Sequence, residues 1–152
     1  GGGGLSAGVA LALEARAPGL RVRPVEPEGF DDTARSLAAG QRLSNTASGA
    51  GALCDAIVTP QPGALTFPVM ARLCGPGLVV SDAQVLAAMH AAFCHLRLVL
   101  EPGGAVALAA ALFHGPALAG EAVVVVATGG NVEPGVFARA ITGAITGANT
   151  QG

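Results

Sequence analysis

The residues that could do chemistry begin with Gly1 to Gly4, which run directly into Leu-Ser-Ala-Gly-Val-Ala-Leu. A glycine-rich turn opening a helix exposes several backbone N–H groups at the positive end of the helix dipole, which suits an anion such as phosphate. Four glycines would serve equally as a flexible linker, and composition alone leaves both readings open. The other reactive side chains are sparse. Cys54, Cys74 and Cys94 have no CxxC spacing and form an odd set, read as buried free thiols of a reducing cytoplasm. His90, His95 and His114 lack metal-ligand spacing, and His90 and His95 stand five apart on an expected helix, off a shared face. All eight basic residues are arginine. Chemistry that needs a lysine amine is therefore closed to this chain by itself.

The 152 residues suit one domain with a sizeable core, and 51% are apolar. Aromatic residues make up only 3%, and the abundance of alanine and glycine implies closely packed helices and backbone near a ligand. A net charge of −2 with no Lys/Arg stripe leaves no footprint for nucleic acid. The longest strictly apolar run, Ala105 to Phe113, is too short to span a bilayer, so no membrane partner is expected. No signal peptide is read, and the true start of the protein is expected upstream of Gly1.

These side chains need elements to position them. Leu5, Val9 and Leu13 recur at helical spacing until Pro18-Gly19. Leu20 to Pro27 alternates as a strand. Asp31 to Gln41 reads as a short helix capped by the aspartates and closed by Gly40. Leu43 to Gly63 reads as loop with a short strand or helix turn. A helix from Thr66 ends at Gly75-Pro76-Gly77, and Leu78 to Ser81 follows as a strand. Ser81 and Gln84 form a capping-box pattern ahead of a helix whose face carries Val85, Met89, Ala92 and Leu96. Pro102 opens an alanine-rich helix to about Phe113. Ala122 to Ala127 is a continuously apolar, β-branched run, expected to be a strand buried on both faces. A last helix carries Phe137, Ile141 and Ile145. Alternating strands and helices predict an α/β fold with a mostly parallel twisted sheet flanked by helices, and ligands beyond the carboxyl ends of its strands.

The motifs GGGGLSAG, VEPEGFDD, PGALTFPV, LVVSDAQV, LEPGGAVALAA and VVVVATGGNVEPGVFA occur in this order over nearly the whole chain. As an ordered set they resemble the C-terminal part of the threonine/serine dehydratases, pyridoxal-phosphate enzymes of the tryptophan-synthase β fold type (fold type II). Serine racemases share the layout. The resemblance implies that Gly1, Gly2, Gly3, Gly4 and the start of the helix at Leu5 bind the phosphate of pyridoxal 5′-phosphate. It implies that the Thr128 hydroxyl, where relatives usually carry serine, meets the pyridine nitrogen. It sets Glu101 near the cofactor ring, although an acid at a helix N-terminus also favours the macrodipole without any cofactor. Cys54-Asp55-Ala56 departs from an Ala-Asp-Gly pattern common at the ring edge. Glu26 and Asp32 are spaced as in relatives that bind a cation between two carboxylates and an intervening carbonyl, here that of Phe30. Oxygen ligands select Mg²⁺, Mn²⁺ or Ca²⁺, with a monovalent cation used in some dehydratases. The competing reading makes Asp31 and Asp32 a helix cap and Glu26 the end of a strand.

The Schiff-base lysine of the family lies upstream of the tetraglycine turn, so no catalytic residue is assigned within this chain. Residues 1–152 are expected to be the C-terminal part of a cofactor-binding large domain, without the N-terminal part and without a C-terminal regulatory domain. By resemblance the full-length protein is a cytoplasmic homo-oligomer that converts L-threonine or L-serine to a 2-oxo acid and ammonia. Serine racemase or 3-hydroxyaspartate dehydratase activity is the alternative on the same scaffold. A non-catalytic, stand-alone binding domain is the reading from another class; an upstream S-x-K-x-R-G sequence would distinguish the two.

Overall fold

The structure is a computed structural model and describes residues 1–115, 118 and 122–143. It divides into two compact units, Gly1–Val79 and Val80–Gly152.

In the first unit, α1 (Gly4–Arg16) follows the glycine turn and packs against α3 (Thr66–Leu73). Its buried residues are Ala7 and Ala10, while Leu5 is exposed. Small side chains at the contact let the two helix backbones approach closely, and Val9 and Leu13 of the expected periodicity are half-buried beside them. Between these helices come β1 (Val25–Pro27) and α2 (Asp32–Ala39), which ends on the left-handed Gly40 as expected. The long segment that follows is loop except for a 3₁₀ turn, Asp55–Ile57. β2 (Leu78–Val80) pairs with β1, and the Leu78 N–H donates to the Pro24 carbonyl at 2.8 Å. The strand expected from Leu20 is thus shorter than its alternation suggested. Pro24 has no N–H to donate and interrupts a ladder.

In the second unit, Ser81 and Gln84 form the reciprocal capping box that opens α4 (Asp82–Ala91). Val85, Ala88 and Met89 are buried on α4, facing α5 (Pro102–Phe113) and α6 (Pro134–Gly143), which both pack on it. A π-helical turn, Ala92–Leu96, then ends on Arg97 at φ 59°. The wider turn rotates Leu96 off the line begun by Val85 and Met89; Ala92 stays buried, Leu96 is exposed. Pro102 starts α5 at its first turn, as the sequence predicts. Phe137 of α6 meets Phe93 edge-on, ring centroids 5.3 Å apart. Ile145 lies outside the described residues.

Ala122 to Ala127 is not a strand. Val123, Val124 and Val126 are exposed, Val124 at 82%. A strand buried on both faces needs hydrogen-bonded neighbours, and among the described residues no strand pairs with this segment. No helix among the described residues is long and apolar enough to cross a membrane.

Candidate functional site

The glycine turn is built by the element it precedes and the helix it packs on. Gly3 is the N-cap of α1 and is left-handed at φ 85°, with no side chain bonding the helix start and no acid in the first turn. The early N–H groups of α1 therefore have neither a competing carboxylate nor an intrahelical partner. Two groups fix the carbonyl of Gly2: the Gly63 N–H donates to it at 3.1 Å, and the Thr66 hydroxyl donates to it as well. A Cβ on Gly3 would overlap the Met70 thioether, with Sδ at 2.8 Å, and one on Gly63 would meet the Gly2 carbonyl at 2.9 Å. The turn is thus a tightly held backbone cradle. Gly1 and Gly4 are exposed, and so is Leu5.

The acid pair lies in the same unit. Glu26, on β1, is 4% exposed and spans the start of α2: Oε1 accepts from the Thr33 N–H at 3.1 Å and Oε2 from the Ala34 N–H at 2.8 Å. Glu26 is therefore the acid that caps α2. The aspartates expected to cap it do not; Asp31 makes no side-chain cap bond and instead pairs with Arg35 at 3.2 Å. The physical reason is reach, since β1 delivers a longer carboxylate to both N–H groups at once. Asp32 is 2% exposed; Oδ1 accepts from Asn45 Nδ2 at 2.6 Å, while Oδ2 is buried without a hydrogen-bond partner. Burial is the main cause raising both carboxyls above their ordinary values, and for Glu26 the nearby Asp32 charge adds to it.

Phe30 sits between the left-handed Gly29 and Asp31, the N-cap of α2, with its N–H donating to the Pro27 carbonyl at 3.1 Å. Among the described residues no three or more His, Cys, Asp or Glu side chains group to hold a metal ion. A cation at Glu26 and Asp32 would complete its shell with carbonyl and water oxygens. The orphaned Asp32 Oδ2 is the atom that fits such an ion.

The second unit holds Glu101 and Thr128. Glu101 is the N-cap of α5, yet its side chain makes no cap bond. The Glu101 N–H donates to the Gly129 carbonyl at 3.0 Å. A Cβ on Gly129 would press on the Glu101 carboxyl, with Cδ at 2.9 Å, and one on Gly130 would meet the Val99 carbonyl at 2.6 Å. Gly130 is thus where two backbone segments touch, and the Glu101–Gly129 bond places Thr128 one residue from Glu101's contact. Thr128 itself is exposed. Asp55 starts the 3₁₀ turn, after the buried Cys54. His90 Nε2 lies 3.5 Å from Cys94 Sγ, and no cysteine is in a disulfide.

Sequence reasoning missed Asn45, Gly63, Thr66 and Met70. Thr66 carried a weak signal, a hydroxyl residue at a helix start three residues after Gly63; Asn45 carried none, since its partners are far apart in sequence.

Residues 1–129 match the family described as pyridoxal-phosphate dependent enzyme. The chain belongs to that family. It is 39% identical over 133 residues to a beta-hydroxyaspartate dehydratase of Paracoccus denitrificans (strain Pd 1222), covering 88% of this chain and 41% of that protein. It is 38% identical over 145 residues to a serine racemase of Oryza sativa subsp. indica, covering 90% of this chain and 41% of that protein. The crystal structure of a threonine deaminase from T.th. superposes with a TM-score of 0.82 at 39% identity, over 88% of this chain and 47% of that one. The chain thus has the α/β fold of the fold type II pyridoxal-phosphate enzymes, helices with a parallel sheet. It spans less than half the length of these relatives.

Proposed function

We propose that the chain is the C-terminal part of the cofactor-binding large domain of an ammonia-lyase acting on L-threonine or L-serine. The observation that supports this best is the glycine cradle: Gly3 left-handed at the N-cap of α1, no acid in the first turn, and Gly2 fixed by Gly63 and Thr66. It fits a phosphate ester, and the family supplies the ester, pyridoxal 5′-phosphate.

Bound, the cofactor supplies an electron sink for the α-carbon of an amino acid. The backbone N–H groups of Gly1 to Gly4 and of Leu5 bind and orient its phosphate. Thr128 offers the pyridine nitrogen a neutral hydroxyl, which stabilises a protonated ring far less than a carboxylate would, so the ring stays a milder sink suited to β-elimination. Glu101 is the carboxylate beside it. Glu26, Asp32 and the Phe30 carbonyl take a cation (Mg²⁺, Mn²⁺, Ca²⁺ or a monovalent ion). The amine that must link the cofactor comes from sequence outside this chain, which has no lysine. The whole enzyme is a cytoplasmic homo-oligomer in this reading.

A second reading is favoured by particular relatives. The beta-hydroxyaspartate dehydratase and the serine racemase match at 39% and 38% identity, so the substrate is a hydroxylated aspartate or the reaction interconverts serine enantiomers. Supplying the full reading frame with L-threonine, L-serine and L-threo-3-hydroxyaspartate separates the three. Release of 2-oxobutanoate supports the ammonia-lyase of threonine; oxaloacetate alone, or D-serine without keto acid, replaces it with the corresponding alternative.

A further inference from the structure

The first unit contains an amide that none of the site assignments has used. Asn45 lies in the loop after α2, with its N–H donating to the Pro60 carbonyl at 2.8 Å. Its Nδ2 donates to Asp32 Oδ1 at 2.6 Å and to the Thr59 carbonyl at 2.9 Å. Its Oδ1 accepts from Arg35 Nη2 at 2.7 Å. Arg35 is held in turn by Asp31 at 3.2 Å and by the Ser44 carbonyl at 3.3 Å. A guanidinium has only donors, so it admits only the oxygen end of the amide. Arg35 thereby determines that the nitrogen end faces Asp32.

The consequence falls on Asp32. Its carboxylate has one oxygen tied down by Asn45 and the other, Oδ2, buried and without a partner in a side chain 2% exposed. A buried carboxylate oxygen left bare is costly, and such atoms point to an unseen occupant. Glu26, the neighbouring acid, already caps α2 with both oxygens. A water molecule would satisfy one lone pair but would bring no positive charge to a buried carboxylate. A hard cation meets both needs.

We propose that Asn45, locked by Arg35, is the positioning residue that turns Asp32 so that Oδ2 alone is presented to a divalent cation. This rests on the cation reading given above. Asn45 does not touch the ion; it acts through Asp32, as outer-shell partners orient the ligands of metal sites. A neutral amide does this without adding a third negative charge.

The probe is Mn²⁺, with free ion counted by electron paramagnetic resonance and the cation-free thermal midpoint measured in parallel on the same chain. The unaltered chain should bind Mn²⁺, and Asp32→Asn should abolish binding. Asn45→Ala should weaken binding about ten- to a hundred-fold, the range for loss of an outer-shell partner. Arg35→Met keeps the amide but frees it to turn over, so it should also weaken binding, by less; it serves where Asn45→Ala does not fold. A purely structural role would lower the cation-free midpoint and leave the Mn²⁺ affinity of the folded protein untouched, and that result in folded variants overturns the inference. No Mn²⁺ binding by the unaltered chain, or binding that survives Asp32→Asn, removes the cation reading itself and this inference with it.

Discussion

Gly2 and Gly3 are neighbours of the same residue type, yet their side-chain hydrogens do different jobs. Gly3 is left-handed, and a Cβ there meets Met70; Gly2 has nothing within 4 Å of an added Cβ. Gly3→Ala should therefore lower stability by about 1–2 kcal/mol from the left-handed backbone, with more from the Met70 overlap. Gly2→Ala should change stability little, and urea denaturation of the two variants checks the contrast. The buried acids give a second prediction. Burial raises Glu26 and Asp32, so the folded chain holds their protons to higher pH than the unfolded chain, whose carboxyls titrate near pH 4. In that window the native state binds more protons, and stability falls as pH rises. The contribution is full below the unfolded values and lost as pH climbs through the raised ones. In chelator-containing buffer, the urea midpoint of the unaltered chain should fall over that range, and Asp32→Asn should flatten the fall; identical pH profiles would show that Asp32 carries no such burden.

The elements legible in the sequence are those whose signals are local. The Ser81/Gln84 capping box, Pro102 at the start of α5 and Gly40 after α2 each act on a single turn, and each does so in the structure. Ser81→Ala should cost about 1 kcal/mol, because it leaves the Gln84 N–H without its cap; thermal melts of the second unit's signals would register it. What was illegible depends on contacts remote in sequence. Glu26 caps α2 from a strand, Asn45 is held by Thr59, Pro60 and Arg35, and neither arrangement has a periodicity. The valines from Val123 to Val126 mislead for the opposite reason: their β-branched pattern is a true strand signal, but a strand forms only when another supplies its hydrogen bonds. Leu96 departs from its expected face because a π turn changes the repeat from which the stripe was counted.

At the scale of the molecule, the chain spans less than half of the relatives described, 41% of the Paracoccus protein and 47% of the threonine deaminase chain. Leu20, Leu65, Leu96, Val124 and Phe113 are each at least 47% exposed, large apolar side chains open to a neighbouring molecule. The chain should accordingly self-associate with rising concentration in light scattering, and Val124→Lys, at the most exposed valine of an unpaired segment, should reduce that association without altering secondary structure. Undiminished association would place the contact elsewhere. The glycine cradle and the acid pair belong to the first unit, Glu101 and Thr128 to the second. The cradle is the part that can be tested in the chain as it stands. Pyridoxine 5′-phosphate carries the phosphate without an aldehyde, so it needs no lysine, and pyridoxine lacks the phosphate. Phosphorus NMR titration of the chain with pyridoxine 5′-phosphate, beside proton NMR with pyridoxine, should show weak, saturable binding of the ester and none of the alcohol, lost when Gly2→Ala adds a Cβ to the glycine turn. Equal binding of both compounds, or binding of the ester unchanged in Gly2→Ala, would contradict the assignment of Gly1 to Gly4 to the cofactor phosphate.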